Sequence, residues 1–221
     1  EHAILRSVDD GVTWQPYSPG DQIEDTVGRV SLAACASDEN VLFALVLKKD
    51  LGNGDRNPLN GLYRSVTRGV SWTKIFDDNE AVNHTNQGAH NNAIACDPTN
   101  PNHLLFGDKD ALETFTALQP RASITWRGYD RLHPGKPSDL DLGHGDHNYF
   151  LFRDDDSHVV LCNDGGYYIY DPETGTIDDS GNLLGIEANR LTVDQGTLAS
   201  SRSNPSRFIA GLQDNGIVLG N

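Results

Sequence analysis

The sequence predicts an all-β protein, a β-propeller of four-stranded antiparallel blades. Three observations predict it. A strand–turn–strand phrase recurs along the chain, short apolar runs are separated by dense Gly, Asn, Asp and Pro turn signals, and helical periodicity is nearly absent. The phrase is clearest at residues 93–108, "AIACDPTNPNHLLFGD", where an apolar run stops at Asp97-Pro98 and resumes after His103. It returns at 31–46 ("SLAACASDENVLFALV"), at 148–164 ("NYFLFRDDDSHVVLCND") and at 191–214 ("LTVDQGTLASSRSNPSRFIAGLQD"). Second strands then begin near Val41, Leu104, Val159 and Phe208, about 50–60 residues apart, which is a blade-sized period.

The elements follow in order. Residues 1–19 supply strands three and four of one blade, and 28–78, 90–130 and 144–185 supply further blades. Residues 188–221 open another with strands one and two, for about four to five blades in a single propeller domain or a fragment of one. Residues 47–61 read as a polar loop between strands two and three, and 109–119, "KDALETFTALQ", as an inserted helical turn or two. The C-terminal strands are expected either to pair with the N-terminal ones and close a ring, or to belong to a larger propeller. Open blade edges would then invite self-association with a partner chain. A chain that starts at Glu1 and contains no Met is expected to be a mature form, a fragment or a segment.

The totals exclude some classes. With 17 basic and 32 acidic residues the net charge is −15, which repels nucleic acid and anionic lipid. No apolar run approaches the roughly 20 residues of a membrane-spanning helix. Cys35, Cys96 and Cys162 are an odd number, each inside an apolar segment, and are expected to be small buried hydrophobes rather than a disulfide framework. Asn83-His84-Thr85 is an N-glycosylation sequon, in keeping with an extracellular address.

One eight-residue phrase is written twice. "SVDDGVTW" at 7–14 and "SVTRGVSW" at 65–72 share Ser, Val, Gly, Val and Trp at equal offsets. Gly supplies a positive φ for a tight turn, Ser and Asp side chains can take turn N–H groups, and Trp can pin a hairpin. The phrase resembles the Asp box, or BNR repeat, of sialidases, sortilin-type Vps10 domains and xyloglucanase-like propellers. Ser7, Asp9, Gly11, Thr13 and Trp14 match every signature position. Ser65, Gly69, Ser71 and Trp72 match the second copy, with Thr67 in place of Asp. The resemblance implies an architectural role for these residues, on the rim away from any active face. Residues 144–170, with His-Gly-Asp-His before a strand and Asn-Asp-Gly-Gly after the next, resemble a segment of the xyloglucanase-like repeat proteins, as do Asp-Pro-x-x-Pro at 97–101 and Gln-Asp-Asn-Gly at 213–216.

In a propeller, residues just before strand one and just after strand two gather at one end of the channel. His90, His144, Asp146, His147, Asp164, Asp214 and Asn215 are therefore the candidate ligand-binding set. Asp146 with Asp164 or Asp214 is a candidate catalytic carboxylate pair for glycosidic cleavage. His144, Asp146 and His147 are weak candidates for a metal, and no cofactor is expected. Sialidase chemistry is set aside, because its Arg cluster and Phe/Tyr-Arg-Ile-Pro opening are absent. Trp14, Trp72 and Trp126 all fall at hairpin positions away from this end, where a polysaccharide cleft would want stacking platforms, and Tyr149, Tyr167 and Tyr168 are the tyrosines expected near it. The reading is a non-catalytic, secreted or cell-surface module for a glycan or protein partner. Its alternative is a xyloglucanase-like glycoside hydrolase.

Overall fold

The computed structural model describes residues 4–16, 27–49, 59–77, 91–128, 146–153, 158–163, 166–178, 197–200, 208–212 and 216–220. β1 (Leu5–Arg6) and β2 (Gln15–Pro16) form a hairpin. Three four-stranded antiparallel meanders follow, each with its strands in chain order. The first is β3 (Val27–Ala34), β4 (Leu42–Lys48), β5 (Leu59–Ser65) and β6 (Thr73–Phe76). The second is β7 (Ala93–Cys96), β8 (Leu104–Gly107), β9 (Ala111–Thr114) and β10 (Arg127–Gly128). The third is β11 (His147–Phe152), β12 (Val159–Asn163), β13 (Gly166–Asp171) and β14 (Thr176–Asp178). A three-stranded sheet of β15 (Thr197–Ser200), β16 (Phe208–Leu212) and β17 (Gly216–Gly220) ends the chain. Among the described residues the only helical element is a single 3-10 turn at Arg121–Ser123. This is the all-β, four-stranded-blade architecture of a β-propeller.

Alternation along the strands explains why these short runs are apolar throughout. In β4, Phe43, Leu45 and Leu47 enter a core shared with the second blade, while Ala44 and Val46 enter one shared with Ile4 and Tyr63. In β8, Leu104 and Phe106 face the first blade, and Leu105 faces Phe150, Leu161 and Tyr170 of the third. The middle strands of the first and second blades are buried on both faces because another sheet lies on each side, so period-2 polarity vanishes from them. Phe106 and Trp126 of the second blade meet Phe76 of the first edge-on, with centroids 5.2–5.3 Å apart.

The two ends of the blades are built differently. At one end, the rim, strands one and two and strands three and four are joined. There Cys35, just after β3, is disulfide-bonded to Cys96, the last residue of β7, with Cα atoms 5.4 Å apart. This corrects the expectation of three inert thiols. An odd count leaves Cys162 free and half-buried, but it does not stop the other two from pairing across a blade boundary. Arg64 donates to the carbonyls of Ala117 (2.6 Å) and Gln119 (2.8 Å), again from first blade to second. Between second and third blades Glu113, fully buried, accepts from Arg127 Nε (2.6 Å) and Tyr170 OH (2.7 Å) and lies 2.6 Å from His103 Nε2. The other ring nitrogen of His103 is 2.9 Å from Asp97 Oδ2. Burial raises the Asp97 carboxyl, but hydrogen bonds from His103 and from the amide and hydroxyl of Thr99 outweigh it and hold the group below the usual range.

Two further expectations are corrected. Residues 111–114 are strand β9, not helix, because Leu112 and Ala111 feed opposite cores and sheet partners exist on both sides. The C-terminal unit has three strands rather than two. Its third position is taken by β17, and β1–β2 form a separate sheet, so of the two alternatives the pairing of the chain's ends is not formed among the described residues.

Two substitutions measure these contacts. Phe106→Ala should cost about 3–5 kcal/mol in urea unfolding, whereas Leu151→Ala, at an exposed site, should stay within about 0.5 kcal/mol. Equal effects would mean that the interblade aromatic cluster is not a principal source of stability.

Candidate functional site

The opposite end, the mouth, is where strands two and three are joined and where β7 and β11 begin. Its turn at 108–110 is tight. A Cβ on Gly107 would lie 2.8 Å from Ala111 Cα and closer still to the Asp110 carbonyl, so the close approach of β8 and β9 requires glycine. Asp108 turns its carboxylate onto the Lys109 N–H, and its own N–H donates to the Asp110 carbonyl (3.2 Å).

The start of the third blade is threaded onto this turn. The Asp146 N–H donates to the Lys109 carbonyl (3.0 Å) and the His147 N–H to the Asp108 carbonyl (2.6 Å). Asp146 takes a left-handed φ of 64°, a conformation that Asp tolerates better than most residues. His147 is fully buried, pairs across the sheet with Asn163, and lies 5.2 Å from the Phe150 ring, centroid to centroid. Asn148 Nδ2 donates to the Asp146 carbonyl (3.3 Å).

Of the predicted ligand-binding set, Asp146 and His147 are thus at the mouth and adjacent to the second blade. His90, His144, Asp164, Asp214 and Asn215 lie outside the described residues, as does the sequon Asn83. Among the described residues no group of three or more His, Cys, Asp or Glu side chains is arranged to hold a metal ion. Other buried polar residues at the mouth, Asn60, Asn91, Asn92, Asp108, Asp110 and Asn163, are not among those predicted from sequence. A helix over 109–119 conceals Asp110, and Asp108 reads as the close of the phrase at 93–108. The usable signal was a run of polar residues abutting each apolar strand at the same end.

The repeated eight-residue phrase sits at the rim, in the β1–β2 and β5–β6 turns. In the first, Ser7 Oγ accepts from the N–H groups of Asp9 (3.3 Å) and Gly11 (2.9 Å). Asp9 accepts from the Thr13 N–H (2.8 Å) and hydroxyl (2.6 Å), and Trp14 Nε1 donates to the Gly11 carbonyl (2.9 Å). In the second, Ser65 Oγ serves Thr67 and Gly69, Thr67 Oγ1 accepts from the Ser71 N–H (2.9 Å), and Trp72 Nε1 donates to Gly69 (3.1 Å). Gly11 (φ 85°) and Gly69 (φ 78°) are left-handed, as are Asp10 and Arg68 before them. A hydroxyl thus replaces the Asp carboxylate without losing the turn. A third turn repeats the wiring without the phrase. Thr114 Oγ1 accepts from the Thr116 N–H (3.1 Å), Thr116 Oγ1 accepts from the Thr125 N–H (3.0 Å), and Trp126 follows.

No protein-family model matches the chain, and no curated protein does. Among solved structures it is similar to an ancestral GH74 enzyme, at 16 % identity and a TM-score of 0.46, over 95 % of this chain and 24 % of that one. It is similar to the GH74 enzyme of Niastella koreensis, at 16 % identity and a TM-score of 0.45, over 95 % and 38 %. It is also similar to Sqt1 from Chaetomium thermophilum, at 14 % identity and a TM-score of 0.48, over 89 % and 44 %. The chain therefore spans less than half the length of each, and likeness at this level does not extend to activity.

The first rim turn carries a pH signature. The Thr13 hydroxyl first, then the Thr13 N–H and Ser7, lower the Asp9 carboxyl from 3.8 to about 2. A carboxyl depressed in the folded state stabilises fully above its ordinary value, and that contribution is lost as pH falls through the folded one. Wild type should therefore lose its stability margin over Asp9→Asn as pH falls from about 4 to about 2 in thermal melts. A margin that does not change with pH would show that the Asp9 charge contributes nothing.

Proposed function

We propose that this chain is a non-catalytic, extracellular binding or assembly module that presents the blade mouth to a glycan or protein partner. The observation that carries the reading is the asymmetry between the ends. A disulfide, a buried charged network and side-chain-wired turns tie the rim, while the buried polar side chains of three consecutive blades gather at the mouth. Binding sites are commonly polar groups held on a rigid frame.

The disulfide supports the extracellular part. Disulfides persist in oxidising compartments, and Cys35–Cys96 joins two blades. Among the described residues no helix is long and apolar enough to cross a membrane. We read the rim turns as Asp boxes of the BNR kind, which gives Ser7, Asp9, Gly11, Thr13, Trp14, Ser65, Gly69, Ser71 and Trp72 a structural role. Asp146 and His147 are the site residues we carry forward, with His90, His144, Asp164, Asp214 and Asn215 as proposed companions.

The second reading, a glycoside hydrolase using Asp146 with Asp164 or Asp214, is favoured by one observation: Asp146 is held at the mouth in a left-handed conformation. The discriminating experiment is reducing-sugar release from a xyloglucan and β-glucan panel by the full-length protein and its Asp146→Ala variant. The binding reading predicts no release by either. Turnover that falls by about 100-fold or more in the variant, the scale of a lost general acid or base, would replace it with the hydrolase reading.

A further inference from the structure

At the rim, His103 is buried, 3 % exposed, and both of its ring nitrogens face carboxylates. Nδ1 lies 2.9 Å from Asp97 Oδ2, and Nε2 lies 2.6 Å from Glu113 Oε1. A neutral imidazole has one N–H and one lone pair. It could donate to only one of these oxygens and would turn its lone pair on the other.

Neither carboxyl group is placed to supply the missing hydrogen. Glu113 Oε2 accepts from Arg127 Nε (2.6 Å) and Tyr170 OH (2.7 Å), an arrangement that suits a carboxylate. Asp97 Oδ1 accepts from the Thr99 N–H (2.7 Å), the Thr99 hydroxyl (2.8 Å) and the Asn100 N–H (3.2 Å). Burial opposes that charge, yet the bonds from His103 and Thr99 keep the Asp97 carboxyl below its usual range. Both ring nitrogens therefore donate, and the two carboxylates balance His103 and Arg127. Two aromatic rings also bound the imidazole. Phe115 stacks on it at 4.2 Å, with the Arg127 guanidinium over the same Phe115 ring at 4.7 Å, and Phe152 of β11 meets it edge-on at 4.8 Å. Phe152 and Tyr170 belong to the third blade, so this cluster is where that blade rests on the second.

We propose that His103 is a pH-sensitive clasp between the second and third blades, closed while its ring carries both hydrogens. Closed, it joins the β7–β8 turn at Asp97 to β9 at Glu113 and completes the surface on which Phe152 and Tyr170 dock. Alkaline pH passes one ring proton to water. A nitrogen lone pair then faces a buried carboxylate, and Arg127 alone stands against two carboxylates. The third blade loosens from the second, while the Cys35–Cys96 bridge still holds the second to the first. Burial first, then Glu113, raises the Tyr170 phenol, so Tyr170 stays a donor while the histidine switches. A fold that binds the charged ring gains stability at lower pH and gives it up as pH rises. The clasp is independent of what the mouth binds.

The test is nitrogen-15 NMR of the His103 ring in the full-length protein at about pH 7.5, where an ordinary histidine is about one-tenth charged. Two ring N–H signals and two protonated-type nitrogens are expected. On raising the pH, the ring signals of Phe152 and Tyr170 should move at the midpoint at which His103 loses its second N–H. A single ring N–H at about pH 7.5, or Phe152 and Tyr170 signals that ignore the His103 titration, overturns the proposal. Asp97→Asn gives a second readout. Its amide keeps an oxygen for Thr99 and Asn100 and puts an N–H donor where Oδ2 was, so a neutral ring satisfies both neighbours. The melting temperature of wild type relative to this variant should fall by about 3–12 °C between about pH 7 and pH 10, the scale of one charge-assisted hydrogen bond. A difference that stays constant with pH also overturns the proposal. Should the variant not fold, the wild-type ring spectrum and its coupling to Phe152 and Tyr170 decide alone.

Discussion

A carboxylate with no exposure to water sits between two blades, and the rim is arranged around it. Glu113 is on β9, a middle strand where an apolar residue would be ordinary. Moving such a charge out of water costs several kcal/mol by itself. Arg127 Nε, Tyr170 OH and His103 Nε2 all lie within 2.7 Å of its oxygens, and charge-assisted bonds of this kind each return about 1.5–3 kcal/mol. The environment is reciprocal: burial first, then the Glu113 carboxylate, raises the Tyr170 phenol and keeps it a donor. Arg127 continues outward to the Pro172 carbonyl (2.6 Å), and His103 continues inward to Asp97, beside the Cys35–Cys96 bridge. Covalent and polar links thus run from the first blade through the second to the third, all at one end.

That concentration has a consequence for the other end. Blades held by aromatic packing in the middle and by charge and disulfide at the rim are joined at the mouth by a few hydrogen bonds to backbone carbonyls. The mouth can then carry side chains that packing alone would not choose. Asp146 has a left-handed backbone, His147 is fully buried, and Asn91 and Asn92 bury amides. Backbone bonds from Asp146 and His147 to the 108–110 turn fix where these residues stand.

The blade architecture was legible because short apolar runs, turn residues and a blade-sized period all point the same way. The two similar phrases at 7–14 and 65–72 were legible because the turn needs Gly at a positive φ and a Trp at a fixed offset. The third such turn was not. Its second acceptor, Thr116, bonds Thr125 across nine positions rather than four, so no fixed-offset phrase survives. The disulfide was hidden for a related reason. Cys35 and Cys96 are 61 residues apart and meet only once two blades stack. Of the mouth, Asp146 and His147 were legible from the polar cluster before a strand. The buried asparagines and the Asp108–Asp110 turn were not, because burial of a polar residue is a tertiary fact and "KDALETFTALQ" suits a helix when no sheet neighbour is supplied.

The central claim is that cohesion between the blades is concentrated at the rim. Hydrogen–deuterium exchange of the free full-length protein tests it most directly, by comparing amides on the same strands at opposite ends. The account predicts that Cys96, Leu104 and Thr114 exchange far more slowly than Ala93, Gly107 and Ala111. Equal protection at both ends, or slower exchange at the mouth, would contradict it.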